Sequence, residues 1–149
     1  MRSRRLLMEA LKSGTVGAFA MPIAGTLTKP FFGWHVWQYG KKSAQLITEN
    51  VTPAAMFAQH MLWSWVSALL LIGLLLRTPR GTPVLIGGAV GVAYYFLVNA
   101  TMLPLYFGDP FPWQQSISHV VQPLVVLVAF AMCVAFVSSR YIAAARSGT

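Results

Sequence analysis

The chain has 149 residues, of which 56% are hydrophobic and only 9% are charged. A soluble domain carries about 25% charged residues, so this composition excludes a water-soluble domain and predicts an integral membrane protein. Eleven residues are Lys or Arg, three are Asp or Glu, and the net charge is +8. The basic residues do not form one patch with interleaved aromatic side chains, so we expect no nucleic acid among the partners. They lie mostly at the ends of apolar segments, where basic residues set membrane topology.

The N-terminal third contains two predicted membrane elements. Residues 1–12, MRSRRLLMEALK, place their apolar side chains on one helical face and predict a short amphipathic helix at the interface. Residues 13–28 are predicted to span the membrane and to end before Pro30, because an internal proline breaks or kinks a helix. This segment is shorter than the roughly 20 residues that a span needs, so the sequence leaves open whether it crosses fully. Residues 31–45, FFGWHVWQYGKKSAQ, have a composition typical of the headgroup layer.

Three further apolar segments are each predicted to cross the membrane. Residues 54–76 and residues 83–105 each comprise 23 residues without a formal charge, and residues 116–137 form the last span. Thr52 is predicted to cap the first of these helices, with Pro53 at its first position.

The connections and one glycine motif predict how these helices pack. The short turn RTPRGT, residues 77–82, predicts that the spans on either side of it are antiparallel neighbours. Gly87, Gly88 and Gly91 present a G-x-x-x-G face, where helix backbones approach closely. The last residues, SSRYIAAARSGT, are predicted to form a short basic tail.

The predicted fold is an all-α membrane bundle in one domain, with four transmembrane helices and an amphipathic N-terminal helix. Four spans place both termini on one side of the membrane. On that side we expect eight basic residues: Arg2, Arg4, Arg5, Lys12, Arg77, Arg80, Arg140 and Arg146. On the other side we expect three: Lys29, Lys41 and Lys42. The excess predicts cytoplasmic termini, in a multi-pass protein of the bacterial inner membrane.

Chemistry-bearing side chains collect in the predicted outer half of this bundle. All three histidines, His35, His60 and His119, fall there. Four further residues lie near the same level: Asn99, Trp63, Trp113 and Asp109, the only aspartate in the chain. Asp109 and Trp113 belong to one stretch, LYFGDPFPWQQSISH, between two apolar runs.

Four interpretations of this outer cluster are open from the sequence. The first is anchoring at the headgroups, with Asp109 helping to cap the fourth helix. The second is structural, with buried His, Asn99 and Gln122 forming hydrogen bonds between helices. The third is a b-type haem between His60 and His119, since two imidazoles at one depth on facing helices suit axial ligation. The fourth is a proton, quinone or ion site that uses Asp109 and a histidine.

One set of residues resembles a known family. The order is His60, a basic turn, the glycine-rich helix, Pro104, the FGDPFPW turn and His119. In this order the chain resembles the YagU-like family of bacterial inner-membrane proteins, over about Ala54 to Phe130. The resemblance implies location and fold rather than chemistry. The chain departs from that family in lacking a longer outer region between the first two spans.

The predicted function is that of a small accessory or assembly subunit of a larger inner-membrane complex. It would pack against other integral membrane subunits and structural lipids through apolar helix faces and an outer aromatic rim. The alternative is a redox subunit that binds haem b, a quinone or a proton through His60 and His119. A small transporter ranks lower, because no paired broken helices are visible. We expect no enzyme and no metal site, since nothing aligns a hydroxyl, an imidazole and a carboxylate.

Overall fold

The computed structural model describes residues 2–35, 39–78 and 81–147, which form helices and turns without strands. The elements are α1 (Arg2–Phe32), α2 (Gly40–Gln45), α3 (Pro53–Arg77), α4 (Pro83–Tyr94), a π-helical segment (Tyr95–Met102), α5 (Leu103–Phe107), α6 (Pro112–Gln115), α7 (Ile117–Val137) and α8 (Ser139–Ser147). Three stretches are long and apolar enough to cross a membrane: α3, Pro83–Phe107 and α7. The chain therefore has the architecture of a helical, multi-pass membrane protein. Arg80, residues 36–38 and the side chain of Arg2, which enter the predictions above, lie outside the described part.

The N-terminal third departs from prediction. Instead of an interfacial helix followed by a separate span, α1 runs without a break from Arg2 to Phe32. Pro22 and Pro30 both lie inside it, so the predicted helix end before Pro30 is wrong. α1 is not among the three stretches apolar enough to cross a membrane, because Gly, Ser, Thr and Pro dilute its apolar residues.

The boundaries of the later helices follow the sequence closely. α3 begins as predicted, with the Thr52 hydroxyl accepting a hydrogen bond from the Ala55 N–H at 3.1 Å and Pro53 in the first turn. This cap is confirmed. The C-terminal residues predicted as a short basic tail form α8 and bury Ile142 in the core. Arg146 holds α8 against the end of α3, where its guanidinium donates to the carbonyl oxygen of Leu75 at 2.8 Å.

The span predicted over 83–105 is not a uniform α-helix. Its middle widens into the π-helical segment, in which the Thr101 hydroxyl donates to the carbonyl oxygen of Phe96 at 2.8 Å. Pro104 follows at the start of α5. A proline has no N–H to donate, and its ring crowds the carbonyl four residues earlier, here that of Ala100. The widened turn precedes this proline, and such bulges are frequent at functional sites.

Helix packing centres on α7. α1 packs along one side of α7 and α4 along another, whereas α3 packs mainly on α1 and touches α4 only slightly. The expected pairing of α3 with α4 is therefore weak. A cleft lies between α3 and α4, with α1 and α7 behind it. We call the end of the bundle where α1 begins and α3 ends the basic end, and the opposite end the histidine end.

Close contacts with α7 require small residues. A Cβ atom on Gly17 of α1 would lie 2.8 Å from the Phe130 ring, and one on Gly87 of α4 would lie 2.8 Å from the Ala131 carbonyl oxygen. A Cβ atom on Gly91, one turn further along α4, would lie 2.9 Å from the Cα atom of Val128. Gly88 differs, since its nearest neighbour is the flexible side chain of Met132 at 3.4 Å.

These distances predict opposite outcomes for two adjacent substitutions. Gly87→Ala should lower the free energy of unfolding by about 1–3 kcal/mol, because the new methyl group overpacks against the backbone of α7. Gly88→Ala should change it by no more than about 0.5 kcal/mol. Denaturant unfolding in detergent micelles, followed by circular dichroism, measures both. Equal effects of the two substitutions would contradict the close α4–α7 contact.

Candidate functional site

His60 compensates for a proline in a neighbouring helix. Pro22 cannot donate the helical hydrogen bond that would reach the carbonyl of Ala18, four residues earlier. Nε2 of His60, on α3, lies 3.1 Å from that carbonyl oxygen. Because a carbonyl only accepts, Nε2 carries the hydrogen and donates it. An unpaired backbone group in a bilayer costs several kcal/mol, so this bond explains both the intact α1 and its attachment to α3.

A second proline inside a helix also leaves a backbone carbonyl that a side chain of another element approaches. Pro123 lies inside α7 and leaves the carbonyl of His119 without its helical donor. The hydroxyl of Tyr95, a buried residue of the π-helical segment, points to this oxygen at 3.4 Å. Tyr95 thereby joins the π-helical segment to α7, as His60 joins α3 to α1.

Gln122 joins α1 to α7 at the histidine end. Its side chain is fully buried. Its Nε2 donates to the Gly25 carbonyl oxygen of α1 at 3.2 Å, and its Oε1 accepts from the backbone N–H of His35. His60 and Gln122 thus form hydrogen bonds of the kind that the structural interpretation predicted.

All three histidines line one cavity of about 340 Å³ at the histidine end of the cleft. Trp63 on α3 and Tyr94 on α4 face each other across it and are 52% and 37% exposed. The cleft therefore opens sideways between α3 and α4. Its polar lining consists of His35, Tyr39, Ser43, Gln59, His60, Tyr94, Tyr95, Asn99 and His119.

A second cavity, of about 180 Å³, continues the cleft towards the basic end. The two share His60, Trp63, Tyr94 and Asn99 in their linings. Away from these shared residues the second cavity is mostly apolar, with Leu71, Val90, Gly91, Phe130 and Ala131 among its walls. The cleft thus has a polar head and an apolar continuation.

Asn99 is a polar residue of the cleft lining whose amide lacks a hydrogen-bond partner among the described residues, as the Tyr39 hydroxyl also does. Asn99 lies in the π-helical segment and lines both cavities. Its side-chain amide makes no hydrogen bond to any of the described residues, whereas His60 and Gln59 are both engaged, the latter with Ser43. An unpaired amide at this depth is costly in hydrocarbon.

The imidazole rings of His35 and His119 lie against each other at the head of the cleft. Their ring centroids are 3.9 Å apart and the ring planes differ by 37°. The Ser116 hydroxyl lies 2.7 Å from Nδ1 of His119 and 2.8 Å from the Ser118 hydroxyl. His119 therefore has its Nε2 available for a ligand.

Asp109 lies outside this cavity. Its carboxylate binds the ammonium of Lys42, with 2.6 Å between Nζ and Oδ1. Lys42 also lies 5.6 Å from the ring centre of Phe107, which stacks on Tyr39. Asp109 therefore ties the loop after α5 to α2 and does not cap α7, whose first residue follows Ser116. The predicted capping role of Asp109 is wrong.

The hydroxyl of Tyr39 is buried without a hydrogen-bond partner among the described residues. Burial raises the pKa of this hydroxyl above its ordinary value of 10.0, and the negative charge of Asp109 raises it further.

Trp113, like Asp109, lies outside the cavity. It is 53% exposed and stacks on Phe111 with ring centroids 4.8 Å apart. Of the predicted outer cluster, the structure gathers His35, His60, His119 and Asn99 around the cavity and leaves Asp109 and Trp113 outside it.

The geometry does not fit a haem held by His60 and His119. An axial ligand must present a nitrogen lone pair to the iron, but Nε2 of His60 uses its hydrogen to pair the Ala18 carbonyl. Within residues 2–35, 39–78 and 81–147, no group of three or more His, Cys, Asp or Glu side chains is placed to hold a metal ion.

Several residues of the site escaped the sequence analysis, notably Tyr95, Gln59 and Tyr39. One signal was present: each proline inside an apolar helix marks a carbonyl, four residues earlier, that needs a donor from elsewhere. That rule identifies the Ala18 and His119 carbonyls from the sequence, but not the side chains that reach them.

Comparison with known proteins finds no matching family model, no similar curated protein and no similar solved structure. The resemblance to the YagU-like family stays a prediction.

The pairing of His60 with the Ala18 carbonyl predicts a coupled response. His60→Leu should lower the free energy of unfolding by about 1–3 kcal/mol, because it leaves a buried carbonyl unpaired. In a Pro22→Ala background the alanine N–H restores the helical bond, so the same substitution should cost less. We expect a coupling of about 0.5–3 kcal/mol in the double-mutant cycle. Additive effects within error would show that His60 does not serve this carbonyl.

Proposed function

We propose that the protein is a four-span membrane protein that binds an amphipathic, membrane-soluble molecule in the cleft between α3 and α4. The observation that carries this proposal is the unpartnered amide of Asn99, at the junction of a polar cavity and an apolar one. A molecule with a polar head and an apolar tail would pair the amide and fill both parts of the cleft. The proposed activity is binding rather than catalysis.

The fourth span in this proposal is α1. Its 31 residues extend about 46 Å at 1.5 Å per residue, more than the roughly 30 Å of a hydrocarbon core. Gly14 contacts the backbone of Ser64, near the middle of α3, and Gly17 contacts Phe130 in α7. No Asp, Glu, Lys or Arg lies between residues 13 and 28. A helix packed against the middle of two apolar spans lies at their depth, which supports a crossing.

Access to the cleft is sideways, from the bilayer. Trp63 and Tyr94 border the opening and are partly exposed, and the neighbouring outward residues Leu62, Val66 and Leu97 are exposed apolar side chains. A ligand would enter along the hydrocarbon rather than from water. Pockets of about 300–1,000 Å³ are typical of small-molecule sites, and the head cavity of about 340 Å³ falls within that range.

We place the protein in the bacterial inner membrane with its basic end in the cytoplasm, where basic residues are enriched. α1 begins at that end with Arg4 and Arg5, and α8 adds Arg140 and Arg146. The accessory-subunit hypothesis stays a prediction. A ligand-binding cleft is compatible with membership of a larger complex.

Blocking the cleft should remove ligand binding without disturbing the lipid-facing surface. We expect a photoactivatable fatty alcohol to crosslink to cleft residues in membranes. Ser67→Trp, which fills the second cavity, should abolish most of that crosslinking. Val66→Trp is the matched control, because the adjacent Val66 is exposed and does not line the cleft. Mass spectrometry of the crosslinked peptides locates the probe.

An even spread of crosslinks over lipid-facing residues such as Leu70 and Leu97, unchanged in the Ser67→Trp variant, would contradict this proposal. It would show that the cleft does not select an amphipathic ligand.

A further inference from the structure

We propose that the head of the ligand is an uncharged planar ring that carries oxygen hydrogen-bond acceptors, as in quinones with an apolar tail. This inference rests on the proposed function, since it names the chemical class that the same cleft takes. Three properties of the lining support it: its lack of charge, its aromatic walls and its apolar continuation.

The described lining of both cavities contains no Lys, Arg, Asp or Glu side chain. Of the three lysines at the histidine end, Lys41 is exposed and lines neither cavity, and the other two have partners outside the cleft. Lys42 binds the Asp109 carboxylate, and Lys29 lies 6.0 Å from the ring centre of Trp34. A phosphate or carboxylate head needs charged donors, for which Arg and Lys are the usual residues. The cleft therefore favours a neutral head over an anionic lipid.

The groups that remain available suit carbonyl oxygens. The Asn99 amide offers two N–H donors, and Nε2 of His119 donates in the tautomer whose Nδ1 accepts from the Ser116 hydroxyl. Both residues line the head cavity. Such neutral donors form ordinary hydrogen bonds with a ring carbonyl. Each such hydrogen bond contributes more to binding in the cleft than in water, because a polar group left unpaired away from water costs free energy.

The walls of the head cavity are rich in aromatic rings. The imidazoles of His35 and His119 lie against each other, and Trp63, Tyr94 and Tyr95 also line the cavity. Aromatic rings pack on one another in offset or edge-to-face arrangements, so a planar ring gains more contact here than a branched head of equal volume. The second cavity then receives an apolar tail beside Leu71, Val90 and Phe130.

The test uses a benzoquinone with a ten-carbon tail and the full-length protein in detergent. Trp63 lines both cavities, so binding should quench tryptophan fluorescence saturably, and Trp63→Phe should remove most of this signal. Asn99→Leu should weaken binding about tenfold, since it removes one hydrogen-bonding group. Thr101→Val is the matched control on the same π-helical segment. It also removes a polar group, but Thr101 lines neither cavity, so the affinity should not change.

Competition separates this inference from the proposed function. An excess of phosphatidylglycerol should not displace the quinone. If phosphatidylglycerol displaces it at equal concentration, or if the quinone does not bind while the fatty alcohol still crosslinks within the cleft, the ring assignment is overturned and the cleft function stands. If neither the quinone nor the fatty alcohol binds in the cleft, both proposals fail. An unchanged affinity in Asn99→Leu would also overturn the assigned role of the amide.

Discussion

The structure depends on how backbone carbonyls are paired where prolines interrupt apolar helices. In water a freed carbonyl binds solvent, but in hydrocarbon another part of the protein must supply the donor. Pro22 frees the Ala18 carbonyl, which His60 pairs, and Pro123 frees the His119 carbonyl, which Tyr95 approaches. Each bond links two helical elements that are distant in the sequence. The prolines therefore determine tertiary contacts as well as local helix geometry.

These links explain why a cleft exists at all. α3 is tied to α1, and the π-helical segment after α4 is tied to α7, so the two walls are fixed mainly to the α1–α7 pair and contact each other only slightly, with Ser67 of α3 hydrogen-bonded to Tyr94 of α4. Glycine at positions 17, 87 and 91 allows α1 and α4 to approach α7 closely, which adds to the same arrangement. The space between α3 and α4 is left with polar side chains at one end. In the proposed function, the unpaired amide of Asn99 in that space binds the polar head of the ligand.

The parts of the fold that the sequence predicts are those governed by local rules. The charge-free runs predicted the positions of α3, α7 and the stretch from Pro83 to Phe107. The Thr52–Pro53 pair predicted the start of α3. The G-x-x-x-G pattern marked the face of α4 that carries Gly87 and Gly91, although Gly88 lies against a side chain rather than a backbone.

The errors arose where a distant residue decides the outcome. α1 continues past residue 28 to Phe32, and its attachment to α3 runs through His60, 42 residues from Ala18. Asp109 binds Lys42, 67 residues away, instead of capping a helix. The clustering of the histidines at one end followed from helix rise and span order. Their separate roles did not, because hydrogen-bond partners are set by helix packing, which the sequence pattern leaves open.

The central claim is that α1 crosses the membrane beside α7, since both walls of the cleft are anchored on that pair. The most direct test is the accessibility of single cysteines placed before and after the apolar part of α1, in a Cys133→Ala background. Ser3 precedes the apolar part of α1 and Gln45 follows it, and both side chains are exposed. A membrane-impermeant maleimide should label Ser3→Cys and Gln45→Cys from opposite sides of intact membranes. Labelling of both from the same side would contradict the crossing and, with it, the proposed cleft.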